Sequence, residues 1–343
     1  MLSDDATTAT PADAETDETS AKLGILVGLL ALNATFVIGH FLEKYNVHWL
    51  PESAAAVLIG VIACTIVVSA GKEELTSKMD FDMEFFMNWL IPPIIFEAAF
   101  NMNVAAFFNN LRPTLFFAFA GTLVSTFVVA GVVFGAGQLG AIYPLSPLAA
   151  LAFGSLISAT DPVAVLATFQ ALGVRQDLFS MVFGESVLND AVAIVLTKTL
   201  VAFTSEEVSA QAIVAAFGTF LKIFIGSSLI GLCFGAASAL TFKHLKLFEH
   251  AETVFLEVVL SFTYPWAAFF VAEALELSGI VAILFSGMVF ATYVRVNVSD
   301  DGLLLMAGTY KCVAKIAETF VFVYLGMAFA RPSRLQPRKS PCA

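Results

Sequence analysis

Long apolar runs follow one another along most of the chain, broken by short polar interruptions. About 20 apolar residues cross the hydrocarbon core of a bilayer as a helix. By that measure ten segments qualify, at 22–42, 50–70, 84–101, 113–138, 147–170, 178–203, 210–241, 252–275, 277–295 and 309–330. None shows the short alternating pattern of a membrane barrel, and a backbone in lipid must satisfy its own hydrogen bonds, so the segments read as helices. The connections are short, which predicts one all-α polytopic membrane protein with no separate soluble domain.

Composition agrees with the pattern. The 343 residues are 59% hydrophobic and 13% charged, with 34 Phe, whereas soluble chains carry about 25% charged residues. The net charge of −11 owes much to residues 1–20, which hold six acids and no base. That acidic stretch is expected to be disordered, and without a basic n-region it is no signal peptide. No basic stripe supports a nucleic-acid partner. Cys64, Cys233, Cys312 and Cys342 lack metal-like spacing and read as small apolar side chains. No cofactor and no enzymatic constellation is expected.

Lys and Arg in short loops set orientation. With the N-terminus luminal or extracellular, the cytoplasmic loops hold Lys44, Arg112, Arg175, Lys243, Lys246 and Arg295, against Lys22, Lys72 and Lys78 opposite. Ten helices then put the basic tail 331–343, with Arg331, Arg334, Arg338 and Lys339, on the wrong side. The conflict predicts either a miscounted helix or a chain that stops early.

Charges inside the apolar runs are the candidate chemistry. A carboxylate at mid-bilayer costs about 2.5–3.5 kcal/mol on insertion scales, yet Asp161, Glu185 and Asp190 all lie there. Pro162 follows Asp161 and should break that helix near Thr160, freeing carbonyls beside the Thr160 hydroxyl; a purely structural proline kink is the alternative. Glu185 and Asn189 share a helix face, and Asp190 sits about 100° around from Asn189. Asp190 is therefore the expected ion- and proton-binding residue, facing the break, with Asp161 and Asn189 orienting it. Glu185 is read as a structural charge of the core, held by a counter-charge. Oxygen-only ligands suit hard cations, so sodium or potassium would bind transiently at Asp190 and Asp161. A free carboxylate titrates at about pH 4, and burial favours the neutral form, so at a buried acid a proton competes with an alkali cation nearer neutrality.

Other polar positions rank lower. Glu97 and Ser158 are possible pathway residues, although Glu97 can equally fill an interfacial structural role and Ser158 can instead bond its own helix. Glu257 and Glu318 are candidate structural or gating partners. Gly154, Gly184, Gly279 and Gly287 should allow close helix contact.

Five strings carry a resemblance: FFMNWLIPPIIFEAAF (85–100), FGSLISATDPVAVLATF (153–169), FGESVLNDAVAIVL (183–196), LSGIVAILFSGMVF (277–290) and AETFVFVYLGMAF (317–329). In this order they resemble the eukaryotic sodium/proton exchangers of the monovalent cation/proton antiporter superfamily, most of all the organellar type. The resemblance implies an inverted-repeat antiporter fold with a broken helix, of whose thirteen helices about ten are present. It divides residues 21–330 into a first repeat (21–203), a linker helix (210–241) and a partial second repeat (252–330). It places Glu97 along the cation path and implies a homodimer that regulates compartment or cytosolic pH in an endosomal, Golgi or plasma membrane. Asn at 189, where relatives that move net charge carry Asp, implies electroneutral exchange of sodium or potassium for protons. The basic residue that in relatives pairs with the glutamate matching Glu185 has no obvious counterpart, with Lys198, Lys222, Lys311 and Lys315 left to test. The tail resembles nothing in the family, so the competing expectation is a truncated, transport-inactive product.

Overall fold

A computed structural model describes residues 11–45, 47, 50–69, 83–160, 165, 169, 172–203, 210–249 and 253–330. All regular structure among them is helical. The helices are α1 (Pro11–Lys44), α2 (Glu52–Ser69), α3 (83–101), α4 (Val104–Asn109), α5 (Leu111–Gln138), α6 (Pro147–Ile157), α7 (Gln176–Phe203), α8 (Ala210–Leu245), α9 (Val254–Ala274), α10 (Gly279–Asn297) and α11 (Asp300–Ala330). π-turns at Phe86–Leu90, Phe117–Gly121 and Phe290–Val294 widen α3, α5 and α10. Eight of these helices are long and apolar enough to cross a membrane. With α3 and α6 they account for the ten segments read from the sequence.

Three boundaries differ from the sequence reading, each for a local reason. Residues 11–20, expected to be disordered, continue α1 outward. Pro11 at its start and acids in its first turns suit a helix N-terminus, and elongation of a helix already nucleated by the apolar run is far easier than nucleation. The last helix begins at Asp300 rather than 309. There Ser299 Oγ accepts the Gly302 N–H at 3.0 Å, and Asp300 and Asp301 complement the helix dipole. The linker helix runs to Leu245 instead of 241, ending on Lys243 and His244, cations that suit a C-terminus.

The chain forms two compact units, residues 1–94 with 311–343, and residues 95–310. In the first unit α2 crosses the second half of α11 glycine to backbone. A Cβ on Gly60 would lie 2.1 Å from the Val323 oxygen, and one on Gly326 would lie 2.1 Å from the Val57 oxygen. Ala31, Leu32, Ala56, Cys64, Val323 and Met327 form the core around that crossing. Lys315 sits there too, 2.9 Å from Glu52 and 3.7 Å from Glu318. Glu318, a candidate structural or gating partner in the sequence, thus has Lys315 as its ion-pair partner.

The second unit is built around α10, whose residues Gly279 to Leu284 are all buried. It packs against α8 and α9, with Gly231 so close that a Cβ would stand 2.2 Å from the Ala282 oxygen. Ala99, Met102, Phe107, Ala118, Leu188, Leu284 and Met288 fill the adjoining core. The four glycines singled out in the sequence all sit at close contacts. Added Cβ atoms would lie 2.5 Å from the Thr126 oxygen at Gly154, 2.5 Å from Phe107 at Gly184, 2.6 Å from Phe269 at Gly279 and 2.6 Å from Ala99 at Gly287.

Candidate functional site

The site is built on one short helix and one long one. Ser146 caps α6 by accepting the Ala149 N–H at 3.2 Å, and Pro147 follows at the first helical position. The helix stops eleven residues later at Ile157. At 1.5 Å per residue that is about 16 Å, half of a hydrocarbon core of about 30 Å. A helix ending at mid-depth leaves unpaired carbonyls and the negative end of its dipole there, a setting that attracts cations.

The break comes earlier than the sequence suggested, at Ser158 rather than Thr160. Ser155 Oγ donates to the Ala152 carbonyl at 2.8 Å and Ser158 Oγ to the Ser155 carbonyl at 2.6 Å. Such side-chain bonds compete with the helix ladder, and a residue before proline disfavours the helical region. Ser158 therefore bonds its own helix. Asp161 and Pro162 lie outside the described residues.

Helix α7 packs along α6 and carries the remaining candidates. Ser186 Oγ donates to the Thr160 carbonyl at 3.1 Å, tying α7 to the unwound end of α6. Eleven residues on, Thr197 Oγ1 lies 2.8 Å from Ser155 Oγ. At 100° per residue Asp190 falls within about 40° of both serine and threonine on the helix circumference. It therefore shares the α6-facing stripe and is half-buried. Thr160 is exposed at this end, with its carbonyl engaged by Ser186.

The Glu185–Asn189 pair sits on a different stripe. Asn189 Nδ2 donates to Glu185 Oε1 at 3.1 Å. Asn189 is 2% exposed, and its Oδ1 has no hydrogen-bond partner. Among the described residues no cation lies within ion-pair distance of Glu185, so the amide of Asn189 holds it where a counter-charge was expected. Lys315, one substitute considered, is engaged with Glu52 and Glu318. On α3, Glu97 accepts a hydrogen bond from Asn101 at 2.7 Å.

Two features escaped the sequence reading. Ser186 stands four residues before Asp190, a same-face spacing that was legible but not used. Ser155 and Thr197 could be paired only once α6 and α7 were packed. No group of three His, Cys, Asp or Glu side chains gathers into a metal cluster among the described residues. The oxygens available here are hydroxyl, carbonyl, amide and single carboxylates, which suits a weakly held monovalent cation better than a resident metal.

Residues 28–337 match the family model for the transmembrane sodium/hydrogen exchanger. The chain belongs to that family. It is 39% identical over 335 residues to sodium/hydrogen exchanger 8 of Gallus gallus, covering 95% of this chain and 58% of that protein. Sodium/hydrogen exchanger 5 of Arabidopsis thaliana is 37% identical over 312 residues, 91% of this chain and 60% of the relative. Sodium/hydrogen exchanger 9 of Homo sapiens is 42% identical over 267 residues, 74% and 40% respectively. The fold is similar to the sodium proton antiporter MjNhaP1 of Methanocaldococcus jannaschii at pH 8, with a TM-score of 0.66 at 18% identity, over 90% of this chain and 71% of that one. The exchanger resemblance and the all-helical antiporter fold both hold, and the chain is a multi-pass membrane protein whose named relatives are transporters. It spans less than two thirds of the length of these curated relatives.

Proposed function

We propose that this exchanger-family chain carries out electroneutral antiport of sodium or potassium against protons, with Asp190 as the group that holds either ion. The observation that carries the reading is the seam between α6 and α7. An eleven-residue helix, too short to cross the hydrocarbon core, meets a carboxylate-bearing stripe and is tied to it by the Ser186–Thr160 hydrogen bond.

A cation at this seam would draw on the Asp190 carboxylate, the Thr160 carbonyl and the Ser186 hydroxyl, with Asp161 as a further carboxylate. Protonating Asp190 removes the charge that attracts the cation, and a bound cation disfavours the proton. Exchange follows if the loaded site opens alternately to the two sides. Asn189 contributes no titrating group, so one carboxylate trades one cation for one proton. Its buried oxygen supports a polar role beside the site, and Glu185 orients it. We further infer an N-terminus outside the cytoplasm, a homodimer and a role in the pH of an endosomal, Golgi or surface compartment. These rest on the Lys and Arg distribution and on the family.

The test is exchange in proteoliposomes that contain the full chain. A sodium or potassium gradient should drive proton movement of the opposite sense, and Asp190→Asn should reduce it to the rate of protein-free vesicles. Cation-driven flux that survives Asp190→Asn would refute the assignment of Asp190. No flux from the unaltered chain would favour a transport-inactive product.

A further inference from the structure

We propose that Thr197 is a positioning residue for Asp190, setting the height at which α7 presents that carboxylate to the unwound end of α6. The proposal deepens the exchange reading and rests on it, because it takes Asp190 as the group that holds the ions.

The bond between Thr197 and Ser155 has one direction. Their hydroxyl oxygens lie 2.8 Å apart, and Ser155 Oγ donates to the Ala152 carbonyl at 2.8 Å. A hydroxyl has a single hydrogen, so Thr197 is the donor and Ser155 the acceptor. Ser186 likewise donates to the Thr160 carbonyl at 3.1 Å. Both cross-bonds thus run from α7 to α6. Ser155 is fully buried, and its own carbonyl accepts from Ser158 at 2.6 Å in the turn where α6 ends. One residue therefore joins the stop of α6 to a set level on α7. Its neighbour Gly154 seats α6 on α5, where a Cβ would lie 2.5 Å from the Thr126 oxygen.

The two cross-bonds bracket Asp190. It stands four residues after Ser186 and seven before Thr197, about 6 Å and 10 Å along a helix. The three positions fall within about 40° of one another around α7. On the other side of the seam, Ser155 and Thr160 are five residues apart, about 8 Å as helix against about 16 Å on α7. The chain makes up part of that difference by leaving the helix after Ile157. An extended segment can follow a sliding partner, so the Thr160 bond by itself would leave α7 free to slip. The Ser155 bond ends on a helical turn that does not stretch. A slip of one residue would shift Asp190 by about 1.5 Å and turn it by about 100°, a large error for an ion ligand.

The experiment compares the full chain with Thr197→Val, Thr197→Ser, Ser155→Ala, and Thr197→Val combined with Ser155→Ala, in proteoliposomes. The control is Thr199→Val, since Thr199 lies about 180° from Asp190 and bonds the Val195 carbonyl of its own helix at 2.9 Å. Thr197→Val keeps the branched shape and removes the donor. It should raise the sodium concentration for half-maximal exchange about 3- to 10-fold while leaving the maximal rate within about twofold. Thr197→Ser should restore the half-saturation to within about twofold of the unaltered chain. Ser155→Ala should match Thr197→Val, the combination should be no worse than either, and Thr199→Val should change neither constant. The Ser158 N–H bonds the Gly154 carbonyl at 3.1 Å; hydrogen–deuterium exchange on the purified chain should show it exchanging faster in Thr197→Val, with no change over 254–274. A lower maximal rate at unchanged half-saturation would overturn the proposal, because a merely structural contact behaves that way. An equal loss in Thr197→Ser, or unaltered exchange at Ser158, would overturn it as well. If the unaltered chain moved no protons, the antiport reading would fall by itself. The hydrogen-exchange comparison would still decide whether Thr197 holds the end of α6.

Discussion

At the scale of single residues, the polar groups divide by what satisfies them. Glu257 is fully buried, yet both its oxygens are used, by the N–H and the hydroxyl of Ser299 at the positive end of α11. It is a structural carboxylate, one of the two roles its sequence position left open. Gly302 shows how tight that fit is, since a Cβ there would fall 1.8 Å from Glu257 Oε2. Gly302→Ala should therefore cost about 1–3 kcal/mol, by strain and by an unmade buried bond, read as a lowered thermal midpoint in detergent. Ser186 belongs to the other class, because its bond links two helices at the candidate site. Ser186→Ala should weaken cation response about 3- to 10-fold, the loss of one hydrogen bond, with a small effect on the midpoint. Asp190 makes a sharper prediction. If proton and cation compete there, the apparent half-saturation for sodium should rise by up to about tenfold for each unit of pH lowered on the same side. A half-saturation independent of pH would exclude competition.

At the scale of elements, small residues and early stops decide how the helices meet. Lipid offers no hydrophobic force between helices, so close backbone contact and hydrogen bonds carry association. The α2–α11 crossing uses that device twice, at Gly60 and at Gly326, each against a carbonyl of the other helix. A side chain at either position must push the helices apart. Gly60→Leu or Gly326→Leu should lower the thermal midpoint more than the same change at Gly28, where an added Cβ meets nothing within 4 Å. The early stop of α6 matters equally, because eleven residues cannot reach across the membrane. The sequence announced a break through Pro162, but Ser155 and Ser158 place it. Their hydroxyls choose between solvent, neighbour and own backbone only when the surroundings exist. Restoring the helix ladder with Ser158→Ala should lengthen α6 and depress exchange, measurable as slower backbone hydrogen exchange around residue 158 together with reduced flux.

At the scale of the whole molecule, the electroneutral proposal has a direct check. A cycle that moved one net charge would gain or lose about 2.3 kcal/mol per 100 mV. Clamping proteoliposomes with a potassium diffusion potential should leave sodium-driven proton flux unchanged, and a marked dependence on voltage would refute one-for-one exchange. Much of the architecture was readable before any coordinates. Hydropathy located the eight helices that are long and apolar enough to cross a membrane, because insertion depends on local composition and length. The ordered motifs around Asp161 and Asp190 named the family. The shared face of Glu185 and Asn189 was legible, since helical periodicity is a local property, but their hydrogen bond was not: a counter-charge was expected at Glu185. Packing, however, joins residues far apart in the chain, and no local pattern encodes which hydroxyl faces which carbonyl. Only the tertiary structure brought Ser186 to Thr160, Thr197 to Ser155 and Glu257 to Ser299. The sequence alone therefore determined that this is a helical membrane protein of the exchanger family with acids within its apolar segments. The fold decided which of those acids are satisfied by neighbours and which stripe of α7 meets the broken helix, because burial and partnership depend on contacts made across the chain.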